Sequence, residues 1–318
     1  MSINKLAIFF CLLIIASPFL LFTDALATHR TTPVVSVNCY WIWWTVVYRC
    51  DPYTTTGDIR GLEVGNCDDE IVVYIHGYWE SRESAIDKFN LVKKSLQSNG
   101  YTGNIIGFSW PSMTLSWFTV ESWNRAKIYS ELSGDRLAQF IHDFDASCEN
   151  TEVRLIGHSL GTRLILSSLE YLNNNHPALR LTSVHVLGAA VDDGMISTRS
   201  GYGIAIQNQA NEFHNKFSPE DDILEGVYFD SDHALGENGG DRRVLWPSTY
   251  DEEDVSDELI RDSDGDGRDD PGRNCGDNHM GYIGVEDTGG RLIDDGAIDE
   301  IVSDWTGRTD IVIPSDCI

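Results

Sequence analysis

Lysine is scarce in this chain, with six residues in 318. Positive charge of any kind is short, at 23 Lys and Arg against 50 Asp and Glu, for a net charge of −27. Such a surface repels phosphate backbones and anionic bilayers, so no nucleic-acid partner is expected. No C-x-x-C pair occurs, so nothing argues for thiolate-bound zinc. No period of 20–50 residues recurs, which argues against a stacked-repeat architecture. The acidic excess fits three readings: solubility in a saline habitat, calcium binding, or plain solubility.

What is present supports a folded enzyme-sized domain. Hydrophobic residues make up 42% of the chain, enough for a sizeable core. The length suits one large α/β domain with insertions or two small ones. Residues 1–27 read as an export signal: Lys5, an apolar run at 6–22, and Ala25-Leu26-Ala27 before Thr28. An uncleaved anchor is the alternative, but the run is short for a span and Pro18 interrupts it. The chain is therefore expected to be secreted or extracytoplasmic, with no stable membrane insertion after cleavage. Six cysteines follow the signal: Cys39, Cys50, Cys67, Cys148, Cys275 and Cys317. An even number in an exported chain predicts disulfides. Cys39–Cys50 is the natural local pair, and Cys275–Cys317 is a candidate tie for the C-terminal tail.

Residues 28–69 form a β-rich, Trp-rich extension, and 70–318 an α/β domain with an Asp-rich insertion at about 250–274. Apolar strands are predicted at 70–75, 104–109, 153–156, 182–187 and 212–217. Helices are predicted at 81–98, 122–144, from the turn after Ser159 to about 173, and at 294–305. Strands alternating with amphipathic helices imply a mostly parallel central sheet with helices on both faces. Ligands of such sheets sit at the carboxyl ends of the strands. His76-Gly77, Ser159, Asp192-Asp193 and Asp221-Asp222 all follow strand ends.

The densest signal is Val153-Arg154-Leu155-Ile156-Gly157-His158-Ser159-Leu160-Gly161. An apolar strand, a G-x-S-x-G turn and a helix start expose a serine hydroxyl at the sheet edge, beside unpaired helix N–H groups. An ordinary buried turn serine is the bland alternative. A serine nucleophile needs a base, and the base an orienting carboxylate. The chain order for this elbow is serine, acid, histidine. Of nine histidines, His233 and His279 remain as downstream candidates, and His279 ranks first. Among carboxylates, Asp221 ranks first, then Asp222, then Asp192 or Asp193. The developing oxyanion needs fixed donors, expected from the Leu160 and Tyr78 N–H groups.

Ile75-His76-Gly77-Tyr78, Gly107-Phe108-Ser109-Trp110-Pro111-Ser112 and Gly157-His158-Ser159-Leu160-Gly161 together resemble the α/β-hydrolase superfamily. More narrowly, they resemble lipase/esterase-like hydrolases with an H-G-[FY] loop, an F-S-W-P-S segment and a G-H-S-[LM]-G elbow. Residues 215–224 (NKFSPEDDIL) resemble that group's acid loop, which implies Asp221 as the acid. Residues 277–282 (DNHMGY) resemble its histidine loop. The resemblance spans about 70–305 and implies an α/β-hydrolase fold. It also implies hydrolysis of carboxylic esters, with a small-molecule or lipid ester as substrate and no cofactor for catalysis. A peptidase or acyltransferase with the same triad, and a non-catalytic binding protein of this fold, are the alternatives.

Residues 262–270 carry Asp262, Asp264, Asp266 and Asp270 around Gly267, close to calcium-loop spacing. Arg273 stands where the loop's last acidic ligand belongs. A structural Ca²⁺ is the expectation, and a solvated acidic loop the alternative. The 112–123 stretch, with Met113, Leu115, Trp117, Phe118 and Val120, reads as a lid, an acyl pocket or a packed lead-in to a helix.

Overall fold

A computed structural model describes residues 32–42, 47–57, 59, 67–115, 119–230, 232–259, 278–287 and 289–307. The described residues begin with four short strands: β1 (Val34–Ser36), β2 (Cys39–Ile42), β3 (Val47–Cys50) and β4 (Thr54–Thr56). β5 (Glu70–Ile75), α1 (Arg82–Ser98), β6 (Asn104–Ser109), α2 (Val120–Ser147), β7 (Glu152–His158), α3 (Gly161–Asn175) and β8 (Leu181–Leu187) follow. Then come α4 (Gly201–Gln209), β9 (Ala210–Phe217), α5 (Asp222–Val227), α6 (Leu235–Asn238) and β10 (Tyr250–Asp254). β11 (Val285–Glu286), β12 (Leu292–Asp294) and α7 (Ile298–Thr306) end the described chain.

Among the described residues, eight strands form the main sheet in the order β10-β9-β8-β7-β5-β6-β1-β4. Every neighbouring pair is parallel except β1 with β4. β5 shows why. Its run Ile71-Val72-Val73-Tyr74-Ile75 is buried throughout, as a strand covered on both faces must be. Ile71, Val73 and Ile75 pack with Leu137, Phe140 and Ile141 of α2 and Leu164 of α3. Val72 and Tyr74 face the other way, onto Phe89 and Val92 of α1 and Ile298 of α7. Each such aliphatic side chain, moved fully out of water, contributes about 1.5–3 kcal/mol. The predicted fold, an α/β hydrolase sheet with helices on both faces, is the one observed.

Helix starts follow the capping chemistry of the sequence. Ser81 accepts from Ser84 N–H at 3.1 Å and starts α1. Thr119 accepts from Ser122 N–H at 3.1 Å and starts α2.

Two regions that are rich in turn-forming and polar residues, 51–68 and 230–278, contain sheet strands. Within 51–68, Thr54–Thr56 pairs antiparallel with β1, and β1 lies parallel to β6, so the N-terminal extension forms one edge of the main sheet. Within 230–278, Tyr250–Asp254 pairs parallel with β9 as the opposite edge strand. Its sequence, YDEED, carries no apolar alternation, because only Tyr250 is buried. Charged edge strands resist pairing with other chains, which suits this position. Cys39 and Cys50 form a disulfide across paired positions of the β2–β3 hairpin. A second disulfide, Cys67–Cys148, ties the approach to β5 to the end of α2. Cys275 and Cys317 lie outside the described residues, as does the 1–27 segment. Among the described residues, no helix is long and apolar enough to cross a membrane.

Candidate active site

β7 delivers Ser159 into a corner with φ of +54°. A non-glycine residue there is strained by about 1–3 kcal/mol, so the surroundings must hold it. Ser159 N–H donates to Leu187 O at 2.9 Å, and Ser159 O accepts from Ala190 N–H at 3.2 Å. Both bonds pin the turn to the end of β8. A side chain at Gly161 would come within 2.6 Å of Ile75 O and 2.8 Å of His76 O. Only glycine lets α3 start this close to β5.

Asp221 is fully buried and caps α5, accepting from Leu224 N–H at 3.0 Å through Oδ1. Its other oxygen, Oδ2, lies 2.7 Å from His279 Nδ1. His279 stands on a short 3-10 helix, Asn278–Ile283, which Asn278 fastens to the acid loop. The Asn278 side chain accepts from Asp222 N–H at 3.3 Å and donates to Glu220 O. With Nδ1 donating to the carboxylate, Nε2 is the basic nitrogen of the neutral ring. Space for the pair comes from Gly188, which follows β8 with φ of +52°. A Cβ there would sit 3.2 Å from both Asp221 Oδ2 and His279 Cε1.

His158 Nε2 donates to the backbone carbonyl of His279 at 2.7 Å. Burial, and then the neighbouring His279, hold His158 well below the ordinary histidine range, so it is neutral. The loop after β5 approaches from the other side. A Cβ on Gly77 would come within 2.9 Å of Ser159 Cβ, so glycine is what brings Tyr78 beside the serine. His76 is pushed down to about 4 by burial. In the neutral ring, Nδ1–H donates to Gly77 O at 2.9 Å and Nε2 accepts from Trp110 N–H at 3.2 Å. Trp110 Nε1–H donates back to His76 O at 2.9 Å, and the two rings stack at 5.6 Å. Ser112 Oγ accepts from Glu80 N–H at 2.9 Å. The residues of the F-S-W-P-S segment thus buttress the H-G-Y loop. Trp79, in that loop, has φ of +63°.

Ser159 and His279 line one cavity of about 280 Å³, walled by Tyr78, Trp79, Trp123, Leu224, Tyr228 and Met280. Leu160, the residue after the serine, is buried at the start of α3. Asp192 accepts from Tyr228 OH at 2.6 Å and so fixes the cavity wall. Asp222 and His233 are exposed. Asp193 is buried near Asp232 and Asp241, and burial first, then those charges, raise its carboxyl. From the 112–123 stretch, Trp123 joins the wall while Met113 faces solvent. Asp262, Asp264, Asp266 and Asp270 lie outside the described residues. Sequence reasoning missed His158, Trp110, Asn278 and Gly188 as supports. The glycine after a strand end was a readable signal; the other three depend on pairings distant in sequence.

Solved structures of similar shape include a Trichoderma reesei cutinase with a phosphonate inhibitor, at 18% identity over 57% of this chain and 69% of that one, TM-score 0.32. The catalytic core of Trichoderma reesei acetyl xylan esterase matches at 13% identity over 58% and 83%, TM-score 0.29. A cutinase-like protein from Cryptococcus sp. matches at 15% identity over 69% and 88%, TM-score 0.32. No curated protein matches the sequence. The family described as "Alpha/beta hydrolase of unknown function (DUF900)" matches residues 61–225, the stretch from before β5 through the acid loop. That match covers more than half of the chain, which therefore belongs to this α/β hydrolase family.

Proposed function

We propose that this chain is a secreted serine hydrolase of carboxylic esters, with Ser159 as nucleophile, His279 as base and Asp221 as the orienting acid. The observation that carries the reading is the 2.7 Å contact between His279 Nδ1 and buried Asp221, with His279 opening into the same cavity as the strained Ser159. A carboxylate on Nδ1 fixes the tautomer that a serine's general base needs.

His279 Nε2 takes the Ser159 proton as Oγ attacks the ester carbonyl. The carbonyl oxygen becomes an anion, held by the N–H groups of Leu160 and Tyr78. Collapse breaks the ester bond, and His279 returns the proton to the leaving alcohol. Water then attacks the acyl-serine and loses a proton to His279; the acyl–Oγ bond breaks, His279 returns the proton to Ser159 Oγ, and the carboxylic acid leaves. Asp221 stabilises the imidazolium in both halves. The aromatic walls favour an ester with an apolar group of modest size, from a small molecule or a lipid. Two disulfides support an oxidising, extracytoplasmic setting.

A fluorophosphonate label should attach to Ser159, and nitrophenyl esters of graded chain length should be turned over. Labelling at another residue, or ester turnover retained in Ser159→Ala, would remove the reading. Turnover of peptides with none of esters would move it to the peptidase class.

A further inference from the structure

We propose that His185, His214 and Asp304 form a site for a divalent transition metal that fastens α7 to the sheet. His185 and His214 are directly paired across β8 and β9, with rings stacked at 4.6 Å and only 7° apart. Both lie on the sheet face covered by α1 and α7, opposite Val184 and Phe213, which face α2 and α3. Asp304 reaches down from α7, and its Oδ2 is 3.2 Å from His185 Nε2 and 3.6 Å from His214 Nδ1. All three donor atoms fall within 4.8 Å of one another.

The chemistry of this set selects the ion. Two imidazoles and one carboxylate suit Zn²⁺, Co²⁺, Ni²⁺ or Cu²⁺, whereas Ca²⁺ and Mg²⁺ prefer oxygen alone. A tetrahedral ion with ligands about 2.0–2.1 Å away has ligand–ligand edges of about 3.3 Å. The two nitrogen–oxygen edges here bracket that length. Water would take the fourth position, since Asp304 and His214 keep some contact with solvent while His185 has none.

The surroundings tolerate the added charge. Lys216 Nζ lies 2.8 Å from the same Asp304 oxygen, but it also pairs with Glu253. When Asp304 turns to a metal, the ammonium keeps that second carboxylate. Glu212 Oε2 lies 3.7 Å from His214 Nε2, on the ring's far side from Asp304. At that distance it adds negative charge behind the ring without a hydrogen bond, which favours a bound cation. His185 Nδ1 is buried with no hydrogen-bond partner among the described residues.

The test uses the full chain, stripped with chelator and titrated with Co²⁺ and separately with Zn²⁺. One equivalent of Co²⁺ should produce a visible ligand-field absorption, and Zn²⁺ should raise Tm by several degrees. His214→Ala and Asp304→Asn should each lose both responses while keeping the wild-type circular dichroism of the stripped protein. His214→Gln serves if the alanine variant fails to fold. A wild-type chain with neither response overturns the proposal. So does binding of equal affinity in folded His214 and Asp304 variants, which would assign the metal to other carboxylates such as those at 262–270.

Discussion

The side chain of His158 carries the backbone of His279: its Nε2–H donates to the His279 carbonyl at 2.7 Å, with both rings inside the protein. The residue before the proposed nucleophile thus sets the height of the proposed base. Replacing His158 with Leu removes that buried hydrogen bond, at a cost of about 0.5–1.5 kcal/mol. Ester hydrolysis should lose kcat with KM near the wild-type value, because the cavity walls do not change. Steady-state kinetics and urea unfolding check this. An unchanged kcat in a destabilised variant would show that His158 serves only stability.

Ser159→Ala should reduce kcat by about 10⁶-fold, as loss of an activated serine does elsewhere. Asp221→Asn should leave the cavity intact but lower kcat about 10⁴-fold by favouring the wrong histidine tautomer. Fluorophosphonate labelling, slowed in Asp221→Asn and absent in Ser159→Ala, separates the two roles.

Gly188→Ala combines a strained φ of +52° with a methyl group 3.2 Å from Asp221 Oδ2 and His279 Cε1 and 2.8 Å from Tyr282. A stability loss above about 1 kcal/mol is expected. The pushed-apart acid and base should also lower kcat. Activity equal to wild type would mean that the loop carrying His279 yields without consequence.

Glu258 is raised to about 7 by burial first and then by Asp299, Glu300, Asp294 and Asp257. The folded chain therefore keeps this proton in a range where the unfolded chain has released it. Stability falls as pH rises from the ordinary glutamate range through about 7. Asp294, raised to about 6 mainly by burial, acts in the same direction. Buried His76, lowered to about 4, acts in the opposite one, so the wild-type profile alone mixes the signs. Glu258→Gln isolates the first effect: its Tm advantage over wild type should grow between about pH 5 and about pH 8. A constant difference would refute it.

The sheet was legible where strands were apolar on both faces, as at Ile71 to Ile75. It was illegible at Tyr250–Asp254, where edge pairing is held by backbone bonds and the side chains are charged. Ser159 stood out because glycine spacing is local. Asp221 and His279 were ranked by chain order and by resemblance, and their contact joins residues 58 apart. Trp110 and His158 were hidden for a related reason. Their hydrogen bonds cross 34 and 121 residues, and no periodicity encodes such a partner.

The Cys67–Cys148 bond closes a covalent ring around β5, α1, β6 and α2. The H-G-Y loop, its Trp110 buttress and the Trp123 wall are all inside that ring, while β7 and Ser159 lie in the chain beyond it. A protease that cuts one peptide bond between Cys67 and Cys148 therefore releases nothing. The nicked protein stays one molecule under oxidising conditions, and only a reductant removes the covalent tie between its two pieces.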